Sequence, residues 1–215
     1  MGLIGVLEAN FQVGVILIVT LVFSLSFHEF AHAYMAYRLG DHTAAYQGRL
    51  TLNPLAHLDP MGSLMMLFIG FGYAKPVPVN PVNLNNPRIG MMKVAFAGPA
   101  SNLFLALIAS FLFRFFDFGG ILNVFIPYFV FYNILLALFN LIPLLPLDGG
   151  QIFSGFLDKA NPKLSYNLRQ YSSQILFAII IISFISRYIN MPQLDIIGNC
   201  LFEPCRFLTI GLLGS

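Results

Sequence analysis

His28, Glu29 and His32 form a His-Glu-x-x-His motif at the end of an uncharged apolar run, Phe11 to Phe27. Ionisable groups placed inside a hydrocarbon-length helix are costly, so they point to function. On an α-helix, residues four apart share a face, and both imidazoles can reach one metal ion. Glu29 lies one position round, where a carboxylate can contact a metal-held water without being a ligand. Those residue types at that spacing suit metal-assisted hydrolysis, with zinc as the usual ion. The competing reading is a helix whose histidines hydrogen-bond neighbouring membrane helices.

A hydrolytic zinc centre usually takes three protein ligands and keeps a fourth position open. The other histidines, His42 and His57, fall in a loop. The carboxylate candidates are Asp59, in His57-Leu58-Asp59-Pro60, and Asp148, in Pro146-Leu147-Asp148-Gly149-Gly150. Depth favours Asp148. Counted from Arg38 at helical rise, His32 lies ~9 Å and His28 ~15 Å below the interface; counted from Lys159, Asp148 lies ~16 Å deep if that stretch is helical. Asn102, in Gly98-Pro99-Ala100-Ser101-Asn102, lies ~13 Å beyond Lys93. Polar groups from three segments thus meet at one level. Pro143 and Pro146 should break the helix before Asp148, and Gly149-Gly150 permits close approach of a neighbouring helix or substrate backbone. Helix N-cap is the alternative role for Asp148.

The elements that must position these groups are membranous. The chain of 215 residues is 58% hydrophobic and 9% charged, with mean hydropathy +0.79. Soluble domains run near 25% charged. Four or five segments reach spanning length: Phe11 to Tyr37, Met91 to Phe116, about Ile121 to Ile142, Tyr171 to Tyr188, and, least regular, Leu194 to Leu213. Met61 to Ala74 is short and glycine-containing, which suits a re-entrant or interfacial segment. It is flanked by Gly48-Arg49-Leu50-Thr51-Leu52, which alternates as a strand does, and by the extended Lys75-Pro76-Val77-Pro78-Val79-Asn80-Pro81. The expected fold is therefore an α-helical polytopic membrane protein of about five to six transmembrane helices, with a small membrane-associated β element between the first two.

If the β-rich stretch returns to the side it left, Arg38, Arg49, Lys75, Arg88, Lys93, Lys159, Lys163 and Arg169 share one side. Arg114 and Arg187 lie on the other. The positive-inside rule makes the first side, and the candidate site near it, cytoplasmic. A cleaved signal peptide is not expected, because no basic residue precedes Arg38. A net charge of +2 without a basic run implies no nucleic-acid partner. Cys200 and Cys205 read as inert membrane-helix thiols.

Taken together, His28-Glu29-Phe30-Ala31-His32, Asn53-Pro54-Leu55-Ala56-His57-Leu58-Asp59-Pro60, Gly98-Pro99-Ala100-Ser101-Asn102 and Asn140-Leu141-Ile142-Pro143 leading into Pro146-Leu147-Asp148-Gly149-Gly150 resemble the site-2 protease family of intramembrane zinc metalloproteases. The likeness runs through residues 24–153 in the family's order, with 157–215 as additional membrane helices of one domain spanning 1–215. It implies Zn2+ held by His28, His32 and Asp148, with Glu29 as general base and acid. It also implies that Asn102 holds the substrate or polarises its carbonyl. Leu50 to Asn53 and Lys75 to Asn80 match β elements thought to clamp an unwound substrate. The implied partners are a transmembrane protein substrate and the lipid bilayer of the cell membrane. The chain has no insertion between Met91 and Asp148 large enough for a PDZ domain, lacks a helix before the His-bearing one, and carries His42 where relatives often have proline. A metal-handling transporter and a non-proteolytic scaffold of the same fold are the rival classes. Against the transporter stand the absence of an internal repeat and the Glu beside the first His.

Overall fold

The computed structural model describes residues 2–68 and 72–214, without the side chains of Arg187 and Tyr188. A short helix α1 (Leu3–Ala9) turns at Asn10 into α2 (Phe11–Arg38), and the Asn10 side chain accepts the Val13 N–H at 3.1 Å. After α2 come the single turn α3 (Thr43–Tyr46), a 3-10 turn at Pro54–Ala56, and α4 (Pro60–Phe68). The long helices follow: α5 (Pro87–Phe115), α6 (Leu122–Asn140), the shorter α7 (Asp148–Ala160) and α8 (Pro162–Tyr188). Asn86 and Asn161 cap α5 and α8 through their side chains, each followed by a proline whose missing N–H costs nothing at that position. A π-turn at Gly198–Phe202 leads into α9 (Glu203–Leu213).

Among the described residues four helices, α2, α5, α6 and α8, are long and apolar enough to cross a membrane, fewer than the five to six expected. After the 3-10 turn Pro192–Leu194, residues 196–213 run as one helical stretch of which only the last 11 residues, α9, follow the π-turn as regular α-helix. The seven-residue α1 does precede the His-bearing helix, but it is too short to span.

The expected β element is corrected. Among the described residues there is no strand, only an isolated antiparallel bridge between Leu58 and Ala74. Pro76, Pro78 and Pro81 remove the donors a ladder needs. Arg49, which strand alternation would leave on an open face, is buried and bonds to the Lys75 and Pro76 carbonyls. A side chain has taken the place of a partner strand. The same bridge joins the two ends of the 61–74 excursion, so the chain goes out and back. Residues 69–71 of that excursion lie outside the described ones. The nine residues of α4 rise only about 14 Å, half of a hydrocarbon core.

The helices pack with polar groups inward. Thr20, Ser24, His28, Asn102, Ser110 and Asn133 are buried, whereas Phe104, Phe111, Phe177 and Ile181 are exposed. That inversion suits a lipid surround. α2 packs on α5, with Gly98 facing His28 and His32 and the Val94 carbonyl meeting His32, and buried alanines on both helices, Ala33, Ala36, Ala95 and Ala97. Away from this contact, Ala106, Ile126, Val130, Ile134 and the fully buried Cys205 join α5, α6 and α9 in an apolar core.

Candidate metal centre

Two turns of α2 present His28 and His32 inward, 4% and 8% exposed, with their rings edge to face. The chain leaves α6 at Asn140, passes Pro143 and Pro146 without helix, and restarts with Asp148 as the first residue of α7. The proline break is thus where the sequence places it. Asp148 makes no side-chain cap; Leu147 holds the cap position. A Cβ on Gly149 would strike the Leu141 carbonyl and one on Gly150 the Leu144 carbonyl. The glycines therefore let α7 fold back on its own leading loop, setting the direction of Asp148.

The result is a triangle of donor atoms. His28 Nε2 and His32 Nε2 are 3.0 Å apart, and Asp148 Oδ2 lies 3.2 Å from the first and 3.4 Å from the second. His28 Nδ1 faces Asn102 Oδ1 at 2.6 Å, and His32 Nδ1 faces the Val94 carbonyl at 2.7 Å. The Asn102 amide is oriented by its own partners. Its nitrogen donates to the Ser24 carbonyl at 3.3 Å and to Asn133 Oδ1 at 3.0 Å, while Asn133 donates to Ser24 Oγ and the Phe129 carbonyl. Both Nδ1 atoms therefore carry protons, and both neutral rings turn their Nε2 lone pairs to the centre.

Asp148 Oδ2 is buried and accepts no hydrogen bond. Three lone-pair donors thus face one another with no proton between them. Only a cation, or an extra shared proton in its absence, reconciles that arrangement. Tetrahedral zinc with bonds of about 2.0–2.1 Å sets its ligands roughly 3.3–3.4 Å apart, within a few tenths of the observed edges. Gly98 completes the cradle, because a Cβ there would collide with Nε2 of both histidines. The donor set, its spacing and its orphaned oxygen fit a resident metal ion, and His28, His32 and Asp148 form the group that could hold one.

The remaining sequence candidates are placed as follows. Glu29 is half-buried, and its Oε2 accepts the Val77 N–H at 3.2 Å. Asn102 is wholly buried behind His28, where its Oδ1 faces the imidazole and its nitrogen donates to Ser24 and Asn133. Asp59 caps α4 through the Gly62 N–H at 2.9 Å. His57 is bonded to Thr51, and His42 packs between Tyr37 and Tyr46. Asn133 and Ser24 were not singled out from sequence. An amide in the middle of the apolar helix α6, away from Asn123 and Asn140 at its ends, was the available signal for Asn133. The Val94 carbonyl, a backbone atom, left none.

The profile of peptidase family M50 matches residues 117–183, a stretch that holds Asp148 and not the histidine pair. No solved structure matches the chain. "Putative zinc metalloprotease YwhC" of Bacillus subtilis (strain 168) is 40% identical over 190 residues, covering 83% of this chain and 85% of the relative. "Putative zinc metalloprotease Rip2" of Mycolicibacterium smegmatis is 32% identical over 172 residues, 77% of this chain and 66% of the relative. The Mycobacterium tuberculosis (strain ATCC 25618 / H37Rv) protein of the same name is 37% identical over 134 residues, 59% of this chain and about half, 51%, of its own length. The YwhC likeness runs over most of both proteins and the family profile crosses the α6–α7 break, and on these grounds the chain belongs to peptidase family M50, the site-2 protease family of metalloproteases.

Proposed function

We propose that this protein is a multi-pass intramembrane zinc endopeptidase, one membrane-embedded unit over residues 1–215, that hydrolyses a peptide bond in or near the transmembrane segment of a membrane protein. The observation that carries the proposal is the triangle of donor atoms, His28 Nε2, His32 Nε2 and Asp148 Oδ2, set among apolar helices of spanning length. The names of the relatives make the ion Zn2+. Basic residues about the site end of α2, α5 and α7 favour a cell membrane with the site nearer the cytoplasm.

Bound by these three residues, zinc supplies a Lewis acid and lowers the pKa of a water it holds to about 7. The chain's own residues do the rest. Glu29 lies one residue from the first ligand, half-buried, with one carboxylate oxygen held by Val77 and the other unassigned among the described residues. It takes the proton of the attacking water and passes it to the leaving amine. Asn102 and the Val94 carbonyl hold the two imidazoles in the tautomer a metal needs. An apolar groove of about 270 Å³, lined by Ile18, Val22, Phe23, Phe27, Leu52 and Pro54, ends on the helical turn before His28 and suits an apolar substrate segment.

The test uses purified protein in lipid nanodiscs with a single-span substrate. Wild type is expected to hold about one zinc per chain and to cut the substrate. Glu29→Gln is expected to hold the same zinc and to lose about 10²- to 10⁴-fold in rate. Zinc without cleavage in wild type, or full cleavage by Glu29→Gln, refutes this reading. A metal-carrying transporter would show the first of these results.

A further inference from the structure

Between α4 and α5 the chain runs extended from Lys75 to Asn80, and three buried groups pin it. Arg49 is 5% exposed, and its guanidinium forks onto two consecutive carbonyls, Lys75 O at 2.5 Å and Pro76 O at 3.2 Å. His57, 1% exposed, gives its ring Nε2–H to the Thr51 carbonyl, so its Nδ1 is free to accept from Arg49; its backbone carbonyl takes the Lys75 N–H at 2.7 Å. At the far end, Asp41 Oδ2 accepts the Asn80 N–H at 2.7 Å. Between these pins lies Val77, flanked by two prolines. Each proline fixes its own φ, and Pro78 restricts Val77 to extended backbone. The single N–H of this Pro-Val-Pro triplet points at Glu29 Oε2, 3.2 Å away.

Arg49 is an expensive way to hold a loop. Among the described residues it pairs with no carboxylate, and its Nε is buried without an acceptor. A buried charge without a counter-ion adds little or nothing to stability, and an apolar side chain of similar volume would serve packing as well. What the guanidinium uniquely supplies is a rigid planar fork that registers two adjacent carbonyls. The next donor along the backbone is the one that reaches Glu29. Glu29 has three side-chain torsions to fix and no other hydrogen-bond partner among the described residues.

We infer that Arg49 is a positioning residue: by gripping the Lys75 and Pro76 carbonyls it sets the register of an extended strap whose Val77 N–H orients the Glu29 carboxylate for proton transfer. The inference rests on the proteolytic reading above. It predicts that the strap acts on turnover more than on substrate binding, because it touches the base and leaves the donor triangle alone.

The experiment compares wild type, Arg49→Lys and Val77→Pro in zinc-loaded nanodiscs, reading zinc content, hydrogen exchange by peptide, and kcat and KM on one substrate. Lysine keeps the charge and loses the fork. Proline keeps an extended backbone and loses the N–H. All three proteins are expected to hold equal zinc and to protect α2 equally. Arg49→Lys should raise exchange across 75–80 and lower kcat about ten- to a hundredfold, with KM within about twofold. Val77→Pro should lower kcat as much while exchange at Asn80 stays slow. Unchanged exchange at 75–80 in Arg49→Lys, or wild-type kcat in either variant, overturns the inference. A variant that loses its zinc overturns it too, since the strap would then serve the metal centre. If wild type fails to cut, the proteolytic reading falls and takes the role of Glu29 with it, while exchange at 75–80 still decides whether Arg49 holds the strap.

Discussion

Two Nδ1 hydrogen bonds, one to a side-chain amide oxygen and one to a backbone carbonyl, decide what His28 and His32 are able to do. A neutral imidazole has one proton and one lone pair, and here the partner of each Nδ1 fixes which nitrogen has which. Asn102 is itself oriented by Ser24 and Asn133, so the tautomer of His28 is set by a chain of amides across three helices. Removing an outer partner should loosen the ring without removing the ligand. Asn102→Leu and Asn133→Leu are expected to weaken zinc about ten- to a hundredfold, measured by competition with a chromogenic chelator. Gly98 sits on the other side of the same atoms. Gly98→Ala places a methyl where both Nε2 atoms point and should abolish stoichiometric zinc while circular dichroism stays helical.

At the scale of elements, the stretch between α2 and α5 is built from capped turns and pins in place of strands. Asp41 is its hub, wholly buried and bonded to Thr43, Asn83 and the Asn80 N–H. Burial alone would raise its carboxyl pKa, but the donors from Thr43, Asn83 and Asn80 outweigh it and hold the group below its ordinary value of 3.8. A pKa depressed on folding stabilises the folded loop above the unfolded value, and the contribution disappears as pH falls through the folded one. Wild type should therefore keep its thermal stability down to about pH 4 and lose part of it below that. Asp41→Asn should be less stable at neutral pH and show a shallower acid loss, read by thermal unfolding in detergent across pH 3–7.

For the whole molecule, the distribution of polarity is that of a protein whose solvent is lipid. Buried Asn102, Asn133 and Ser24 bond one another between helices, and phenylalanine and isoleucine cover the outside. If α5 and α6 both cross the bilayer, the turn at Asp117, at the opposite end of α5 from Pro87, is expected on the face opposite Lys163. Gly155 of α7 lies against Met92 near the start of α5, and Asn85 just before that helix bonds the Leu39 carbonyl, so the second half of α7 lies toward the end of α2 at Arg38. Single cysteines at Asp117 and Lys163, introduced after replacing Cys200 and Cys205, are expected to label from opposite faces with an impermeant maleimide. Labelling of both from one face would overturn this topology.

Much of this protein was legible in residue order. The His-Glu-x-x-His spacing, the apolar lengths of α2, α5 and α6, and the proline break before Asp148 are local, and helix periodicity and proline stereochemistry act within a few residues. The early starts of α5 at Pro87 and α8 at Pro162 are local too, written in Asn-Pro caps ahead of the apolar runs. The expected β element failed for a non-local reason. Whether Gly48 to Leu52 pairs as a strand depends on what lies beside it, and there the Arg49 side chain bonds to a proline-rich segment that has few N–H groups to offer. The same holds for Asn133, the Val94 carbonyl and Val77, whose partners lie 31, 62 and 48 residues away. Sequence alone singled out the candidates for the chemistry, because their types and helical spacing suffice for that. Only the tertiary structure decided which atoms hold them in register, because a hydrogen bond between distant segments has no period to read.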